Sequence, residues 1–414
     1  MKIAIIGGGI SGMVAAYLLN EDHDITLFET NDYIGGHTHT VDVKREGKTY
    51  VVDTGFIVFN ETTYPNFLKL IKKLGVDYQP STMTFSVKSE KNGLEYSPHS
   101  LRSFFAQKRN IVDPSFYRMI WDIIRFRRDI DHLVREDTDE QEIGPYLRKH
   151  GYSRRFIEHF IIPLGSSLWS TDPKRIHNFP LQTFARFFKN HGFLEMEHPI
   201  AWKVIKGGSR RYTEKLTAPY ADRIRLKAPV KSVIRRQDHV EVHPVHGHLE
   251  RFDHVVMACH SDQALAMLKD PSSAEQEILR ALPYQENHVV LHTDPSILPA
   301  RRSLWSSWNY HIPLEDMDRA ALTYDMNILQ TIACNEEFCV TLNRPGVINR
   351  NRVIGTYIYH HPVYTKDSPR AQKRHEEISG RNRTHFCGAY WGYGFHEDGV
   401  NSALAACKFF GKGL

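Results

Sequence analysis

The chain has 414 residues, more than one ordinary hydrophobic core accommodates, and its length therefore predicts two domains. Its formal net charge of +5 is mild and gives no basis for nucleic-acid binding. No window approaches the roughly 20 continuous apolar residues of a membrane-spanning helix. The five cysteines form no CxxC pair, and no signal peptide fits before the first motif, so we expect a cytoplasmic protein.

The first elements predict a dinucleotide-binding unit. Residues 1–6 are typical of a buried strand, residues 7–12 form G-x-G-x-x-G, and residues 13–19 are typical of a helix. Gly7 would permit the tight turn, Gly9 would let a pyrophosphate approach the backbone, and Gly12 would let the helix pack on the strand. Two further kinds of contact are predicted, to the diphosphate from the helix N-terminus at Ile10 and Ser11, and to a ribose from Glu29 after the strand 25–28.

The next segment distinguishes between two kinds of dinucleotide. A nicotinamide-binding domain would continue with another strand and helix, whereas this chain continues with Gly35-Gly36-His37-Thr38. A glycine pair at this place suggests that the backbone contacts a longer cofactor a second time. A strand-like stretch at 50–53 follows, and then comes the turn that contains Gly55 and Phe56.

These residues resemble the flavin amine oxidase superfamily, which includes monoamine oxidases, protoporphyrinogen oxidase and phytoene desaturases. In that superfamily a Gly-Gly-Arg follows the acidic residue, and a D-x-G-x turn follows soon after. The resemblance implies FAD as cofactor, bound in part by Gly35, Gly36, Thr38, Gly55 and Phe56. This chain has His37 where the superfamily usually has arginine, and the backbone of the glycine pair is still expected to serve.

Three later stretches resemble the same superfamily. Residues 206–209 (Lys-Gly-Gly-Ser) are similar to its return into the cofactor domain, and 226–233 to the strand whose valine, here Val230, contacts the adenine. The C-terminal stretch is similar to its closing flavin motif, and the resemblance implies cofactor contacts from Gly388, Asp398, Gly399 and Val400. Ala389 replaces the usual glutamate of that motif, and Glu397 or Asp398 is expected to substitute for it.

The last motif also has a physical interpretation of its own. Asp398 is a plausible N-cap for a helix over residues 400–410. Such a helix would direct unpaired N–H groups and partial positive charge towards the flavin, which would stabilise the anionic reduced ring.

The fold class predicted is α/β, a Rossmann-like FAD-binding domain of the glutathione-reductase type with an inserted α+β substrate domain. The FAD-binding domain is predicted to comprise residues 1–75, 205–270 and 380–414, and the substrate domain residues 76–204 and 271–379. Helices are expected at 101–107, 113–136, 139–150 and 152–160, and strands at 289–293, 319–327, 337–342 and 353–359.

The stretch 116–130 mixes aromatic and aliphatic residues with arginines, and two interpretations stay open. It could lie on anionic lipid as an interfacial helix, which would give the protein a peripheral membrane contact. It could instead pack its apolar face on its own domain while the arginines extend to solvent. The sequence indicates no oligomeric state.

The 24 histidines form neither HExxH nor a Cys/His box, and we predict no metal site. Aromatic residues are the candidates for the substrate pocket, because a flavin requires position and electrostatics rather than a nucleophile from the protein. Tyr393 and His396 are the catalytic candidates beside the expected flavin edge. Other pocket candidates are Trp305, Trp308, Tyr310, Tyr324, Tyr359, Trp391 and Phe395.

Three functions remain open at this stage. The first is dehydrogenation or desaturation of an apolar substrate, with a fatty acyl lipid as one candidate. The second is oxidation of an amine, and the third is a flavin-carrying partner subunit with little turnover. The chain resembles most the predicted bacterial FAD/NAD-binding proteins associated with cyclopropane-fatty-acid enzymes, which share G-G-H-T-H-T at 35–40 and Y-x-M-N-x-L-Q at 324–330.

Overall fold

The computed structural model of the protein describes residues 1–135, 141–192 and 200–414. Its strands are β1 (Lys2–Ile6), β2 (Asp24–Phe28), β3 (Thr40–Arg45), β4 (Lys48–Asp53), β5 (Val58–Asn60), β6 (Tyr78–Pro80), β7 (Phe85–Ser89), β8 (Glu95–Tyr96), β9 (Trp202–Ile205), β10 (Ile224–Arg225), β11 (Val230–Arg235), β12 (Val240–Pro244), β13 (Glu250–Phe252), β14 (His254–Met257), β15 (Tyr284–His292), β16 (Trp308–Ile312), β17 (Ala321–Asp325), β18 (Cys339–Leu342), β19 (Val353–Pro362) and β20 (Thr384–Phe386).

The α-helices follow the same order along the chain. They are α1 (Ile10–Leu19), α2 (Pro65–Lys73), α3 (Leu101–Phe104), α4 (Pro114–Leu133), α5 (Ile143–Lys149), α6 (Arg154–Phe156), α7 (Ile162–Trp169), α8 (Leu181–Asn190), α9 (Arg210–Thr217), α10 (Ser261–Met267), α11 (Ser273–Arg280), α12 (Met326–Leu329), α13 (Ser368–Lys373), α14 (His375–Ile378) and α15 (His396–Lys408). No helix in the described ranges is long and apolar enough to cross a bilayer.

A parallel five-stranded sheet with the order β10-β2-β1-β14-β20 forms the first layer of the fold. Residues 3–6 of its central strand β1 are a continuous, buried apolar run, which suits a parallel sheet buried on both faces. Helices α1 and α15 share one hydrophobic core with one face of β1. Strands β11, β12 and β13, together with α10 and α11, share a second core with the other face. This arrangement confirms the predicted Rossmann-like fold.

The second layer is a seven-stranded mixed sheet with the order β19-β15-β18-β17-β16-β7-β8. The largest hydrophobic core joins this sheet to the helices of residues 101–190, and Phe116, Phe126 and Phe184 are among its members. All strands of the first sheet come from the three segments predicted for the cofactor domain. Helices α11, α13 and α14 lie within predicted substrate segments yet pack in the core of the first sheet. The division into two domains, with its boundaries, stays a prediction.

Several predicted elements differ from the structure. The predicted helix over 113–136 is α4, and residue 136 lies outside the described residues, as do the first two residues of the predicted helix 139–150. The helix over 152–160 is α6 followed by one π-helical turn. The predicted strand 226–233 is interrupted, because Lys227 has a φ of 51°, and only β11 continues it.

The C-terminal helix begins at His396, so the prediction of Asp398 as its N-cap is wrong. Asp398 lies inside the first turn, where its side chain reaches back and accepts a hydrogen bond from the N–H of Phe395 at 2.9 Å. The residue still satisfies one unpaired donor at the helix start, from a position three residues later than the N-cap residue Phe395.

The first glycine turn gives a test of the fold. A Cβ on Gly12 would lie 1.9 Å from the carbonyl oxygen of Gly7, whereas a Cβ on Gly9 would have no neighbour within 4 Å. We expect Gly12→Ala to lower the free energy of unfolding by at least about 2 kcal/mol, because the clash is with backbone. Gly9→Ala should change it by less than about 0.5 kcal/mol.

Chemical denaturation of both variants without added cofactor provides the measurement. Gly9→Ala is also expected to weaken cofactor binding by roughly tenfold, since its methyl group would project into the predicted place of close approach. Equal unfolding free energies for the two variants would contradict the assignment.

Candidate functional site

A cavity of about 740 Å³ connects the two layers of the fold. Its lining joins the turns that follow β1 and β2 to side chains of the second sheet, such as Trp308, Tyr324 and Leu342. Ligands of open parallel sheets bind at the carboxyl ends of the strands, which is where this lining begins. A cavity of this size accommodates an elongated organic cofactor or ligand.

The glycine turn at the end of β1 is shaped for close approach to the backbone. Gly7 has a φ of 108°, and a Cβ there would lie 2.6 Å from the carbonyl oxygen of Ala258. Gly9 is the N-cap residue of α1, and no side chain caps the helix. Unpaired N–H groups of the helix start, at Ile10 and Ser11, therefore lie at the cavity wall and suit an anionic group.

Glu29 occupies the cavity edge after β2 and is held rigidly. Its Oε2 accepts a hydrogen bond from the N–H of Gly8 at 2.7 Å, and its Oε1 accepts one from the N–H of Asn31 at 2.8 Å. Each carboxylate oxygen retains a further lone pair, so the group can still accept hydrogen bonds from ribose hydroxyls. Val230 lines the same cavity, and its contact with an adenine stays a prediction.

The second glycine pair contacts the first glycine turn directly. Gly35 donates its N–H to the carbonyl oxygen of Gly8 at 2.9 Å, and a Cβ on Gly36 would lie 3.0 Å from the Cα of Gly9. Gly35 and Gly36 have φ values of 136° and 59°, which favour glycine. The first glycine turn and the Gly35-Gly36 pair therefore form one wall of the cavity.

His37 lies among aromatic rings in the cavity wall. Its ring centroid is 5.3 Å from that of Tyr359, 5.2 Å from that of His361 and 6.4 Å from that of His260. Burial lowers the pKa of His37 to about 4, and it lowers the pKa of His260 and of His361 to about 3. A neutral imidazole therefore stands where the superfamily usually has an arginine. No group of three potential metal ligands occurs in the described ranges.

Asp53 joins three of the motifs that the sequence presented separately. Its carboxylate accepts hydrogen bonds from the hydroxyl of Thr40, from the N–H and hydroxyl of Ser209, and from Nε2 of Gln330. The N–H of Asp53 also donates to Oε1 of Gln330 at 2.9 Å. The D-x-G-x turn, the Gly-Gly-Ser return and the end of the 324–330 stretch thus meet at one buried carboxylate. Gly55 and Phe56 follow it into the cavity wall.

The C-terminal motif closes the cavity from the side of α15. The hydroxyl of Ser11 donates to the carbonyl oxygen of Gly399 at 3.0 Å, so the starts of α1 and α15 lie together. The N–H of Gly388 donates to the hydroxyl of Ser402 at 2.8 Å. A Cβ on Gly399 would lie 2.6 Å from the Cγ2 of Ile10, and so only glycine fits this contact.

Neither Glu397 nor Asp398 replaces the glutamate that is missing at Ala389. The Glu397 carboxylate accepts hydrogen bonds from the N–H groups of Asn66 and Phe67 at the start of α2. Asp398 accepts one from Phe395 and does not line the cavity. Both carboxylates stabilise helix starts, which is a structural role that the sequence pattern did not separate from cofactor contact.

Tyr393 and His396, the two catalytic candidates, both line the cavity. The His396 ring stacks on Phe56, with centroids 3.4 Å apart, and its Nε2 lies 3.0 Å from Oγ1 of Thr38 and 2.9 Å from the hydroxyl of Tyr212. Burial lowers the pKa of His396 well below its usual range. The ring is therefore neutral, and the stack on Phe56 together with the two contacts of Nε2 holds it in place, which suits a positioning role.

The structure brings most of the predicted site residues to the cavity wall. Those that line it are Gly7, Gly9, Ile10, Ser11, Glu29, Gly35, Gly36, His37, Gly55, Phe56, Val230, Gly388, Tyr393 and His396. Five others support the wall from behind it, namely Gly12, Thr38, Asp398, Gly399 and Val400.

Among the predicted pocket aromatics, Trp308, Tyr324, Tyr359 and Phe395 line the cavity, whereas Trp305, Tyr310 and Trp391 do not. Trp391 packs against His375 and Tyr390 in the core of the first sheet. Sequence reasoning missed several lining residues: Tyr33, Met83, Leu168, Trp169, Phe187, His191, Trp202, His260, Tyr284 and His361. Helices 162–190 gave no motif, although their dense aromatic content was a usable signal.

The glycine turns, the ribose acceptor and the long cavity define a protein that binds an adenine dinucleotide in an extended form. The family of flavin containing amine oxidoreductases matches residues 10–306, which is most of the chain. The chain belongs to this family, and its cofactor is accordingly FAD. The uncapped start of α1, the open space beside Gly9 and the lone pairs of Glu29 fit the diphosphate and ribose of that cofactor.

Known proteins resemble the chain in sequence and in fold. Amine oxidase [flavin-containing] A of Canis lupus familiaris is 24% identical over 286 residues, 62% of this chain and 49% of that protein. The chain thus spans about half the length of the curated relatives it matches. A cyclohexylamine oxidase from Brevibacterium oxydans has 16% identity and a TM-score of 0.72, over 99% of this chain and 98% of the other. A CLA-producing fatty acid isomerase from P. acnes has 15% identity and a TM-score of 0.64 over the same shares.

Asp398 gives a pH-dependent prediction. Burial raises its pKa from an ordinary 3.8 to about 7, so the ionised carboxylate is less stable in the folded protein than in the unfolded chain. The stability that this group contributes is fully present below pH 4 and is lost as the pH rises towards 7. Asp398→Asn should therefore reduce the fall in unfolding free energy over this range, by up to about 1.4 kcal/mol per pH unit. Urea unfolding at intervals between pH 4 and pH 7.5 measures it, and identical slopes for both proteins would refute it.

Gln330 tests the junction at Asp53. Gln330→Ala would remove a donor to the carboxylate and the acceptor of the Asp53 N–H, and both groups are buried. We expect a loss of about 2–3 kcal/mol in unfolding free energy. Gln79→Ala is the matched control, because this half-buried glutamine makes one bond, to the carbonyl oxygen of Gln330, and should cost less than about 1 kcal/mol. Similar losses for the two variants would show that the Gln330 contacts with Asp53 stabilise the fold no more than the single bond of Gln79 does.

Proposed function

We propose that the protein is an FAD-dependent oxidoreductase that removes a hydride from an apolar substrate, by dehydrogenation or desaturation, and that a fatty acyl lipid is the leading candidate substrate. The observation that carries the proposal is the lining of the cavity beyond the dinucleotide turns. That lining is aromatic and aliphatic: Met83, Leu168, Trp169, Phe187, Trp202, Val289, Trp308, Tyr324 and Leu342. An alkyl chain would replace water against these side chains at a gain of about 0.8 kcal/mol per buried CH₂ group.

The charges around the cavity support the same substrate class. Of the described lining residues, Glu29 alone carries a carboxylate, and Gly8 and Asn31 already donate to it. His37, His260 and His361 are neutral because burial lowers their pKa values. A charged substrate would lose its hydration here without gaining an ionic partner, so this part of the cavity favours an uncharged substrate.

Bound FAD supplies the hydride acceptor. The residues of the chain orient the reactants and exclude water. Phe187, Trp169 and Tyr393 form an aromatic wall, in which the indole Nε1 of Trp169 donates to the carbonyl oxygen of Tyr393 at 3.2 Å. This bond fixes the loop that carries Tyr393, so we propose Tyr393 as a substrate-contacting residue and His396 as the group that positions the adjoining helix start.

Oxidation of an amine is the second candidate function. The family match and the sequence relatives favour it. The aromatic rings at the cavity support it too, since Phe395 stacks on Phe187 at 4.9 Å and Tyr393 lies 5.6 Å from the same ring. The amine would enter in its neutral form. The third hypothesis, a flavin-carrying partner subunit, is an outcome of the experiment below.

All five cysteines are free, which supports our proposal of a reducing, cytoplasmic compartment.

An absorbance experiment on the purified protein separates these functions. We expect a yellow preparation whose visible absorbance is lost under anaerobic conditions on addition of a fatty acyl lipid. Loss of absorbance with a primary amine and not with the lipid would favour the second function. No loss with either, together with co-purification of a second protein, would favour the partner subunit and overturn the proposal.

Leu342 and Leu322 offer a matched pair for the substrate cavity. They are cross-strand neighbours on β18 and β17, both buried, and of the two only Leu342 lines the cavity. Each Leu→Ala change should cost about 2–5 kcal/mol of stability. Only Leu342→Ala should enlarge the cavity and so shift the preference towards longer acyl chains. The dependence of kcat/KM on chain length measures this shift. A shift of equal size in Leu322→Ala would contradict the assignment of the cavity to the substrate.

A further inference from the structure

An apolar surface remains exposed on the helical part of the molecule, away from the lining of the cavity. We define it as the α4 outer face, which consists of Leu101, Ile111, Val112, Tyr117, Trp121 and Ile124. Val112 is 81% exposed, Leu101 75% and Trp121 54%. Single exposed apolar residues are ordinary, but a continuous group of large ones marks a contact surface.

Helix α4 is apolar on two opposite sides. Phe116, Met119 and Phe126 face the core and are fully buried. Tyr117, Trp121 and Ile124 follow one another at intervals of four and three residues, so they share one stripe on the side away from the core. A helix that merely packs on its own domain would carry polar residues on that stripe.

The preceding segment continues the same surface. The hydroxyl of Tyr117 donates to the carbonyl oxygen of Ile111 at 2.9 Å, which holds Ile111 and Val112 next to the stripe. The ring of Phe105 lies 5.5 Å from that of Tyr117 and connects the stripe towards α3. The α4 outer face is therefore one fixed surface.

Cations outnumber acidic residues in the segment that forms this face. Residues 101–135 contain eight arginines and lysines and four aspartates. Each aspartate is already engaged: Asp113 with Arg155, Asp122 with Arg118, Asp129 with the Tyr152 hydroxyl and Asp131 with Lys189. The cations that remain, with Lys108 and Arg128 among the exposed ones, give the rim a positive charge. Arg109 and Arg118 also line a recess of about 560 Å³ beside the start of α4.

We propose that the α4 outer face lies on the surface of an anionic lipid bilayer. Tryptophan and tyrosine prefer the boundary between headgroups and acyl chains, and arginine and lysine around them attract anionic headgroups. Val112 and Leu101 would enter the acyl region. A second copy of the chain is a poorer occupant, because a two-fold interface would bring two positively charged rims together. The proposal does not depend on the proposed function, although a bilayer is a natural source of acyl substrate.

Flotation with vesicles tests the proposal on the FAD-loaded protein. We expect it to float with phosphatidylcholine vesicles that contain phosphatidylglycerol, less with phosphatidylcholine alone, and less still at high salt. Val112→Glu combined with Trp121→Glu should lower the bound fraction at least tenfold. Replacing Lys108 or Arg128 by Gln should lower the partition coefficient about fivefold each. Leu314→Glu is the matched control, because Leu314 is 70% exposed and lies outside this face.

Two results would overturn the proposal. One is equal flotation of the wild-type protein and the Val112→Glu, Trp121→Glu variant. The other is a dimer in solution that this variant converts to a monomer while neither protein binds vesicles, which would assign the face to a second copy. Circular dichroism and flavin absorbance of every variant establish that it is folded and loaded. These two measurements distinguish a failure of the membrane-contact proposal from a failure of the proposed function.

Discussion

The buried carboxylate of Asp53 is the constraint on which the arrangement of the site depends. A carboxylate removed from water is costly unless donors surround it, and here the donors come from Thr40, Ser209 and Gln330. These residues lie in β3, at the start of α9 and after α12. The carboxylate therefore receives all of its hydrogen bonds only when three distant segments converge. Burial nevertheless raises the pKa of Asp53 to about 6, which shows that the compensation is incomplete. The cavity wall at Gly55 and Phe56 follows from this junction, because the chain turns directly after Asp53.

A second junction completes the site at the starts of α1 and α15. The Ser11–Gly399 hydrogen bond brings the starts of α1 and α15 together, and Phe56 stacks on His396, the first residue of α15. Residues from both ends of the chain therefore share a wall with the turn that follows Asp53. The Asp53 junction links this wall to the second layer through Gln330, and the second junction joins the starts of α1 and α15 within the first layer.

The sequence predicted those parts of the site whose residues form motifs at short spacing along the chain. Gly7, Gly9, Gly12 and Glu29 follow from one strand–turn–helix unit, and the family resemblance added the Gly35 pair and the closing motif. What failed depends on distant partners. Asp398 has the composition of an N-cap, yet its position depends on where α15 starts, and Trp391 is indistinguishable from a pocket aromatic until the core of the first sheet is known. The contact of Gln330 with Asp53 spans 277 residues, and no local pattern encodes it.

The replacement of the usual arginine by His37 changes which groups supply positive electrostatic potential at the cavity. His37, His260 and His361 are uncharged at neutral pH because burial lowers their pKa values, and Glu29 is the one carboxylate among the described lining residues. The positive potential that faces the cavity therefore comes mainly from backbone N–H groups at the start of α1, whose first turn, unlike that of α15, carries no acidic residue. Such groups do not titrate, and the Ser11–Gly399 contact holds them at fixed positions. Preorganised backbone dipoles in a water-poor cavity need no reorganisation when negative charge develops nearby, so they can supply the electrostatic stabilisation that ionised side chains supply elsewhere.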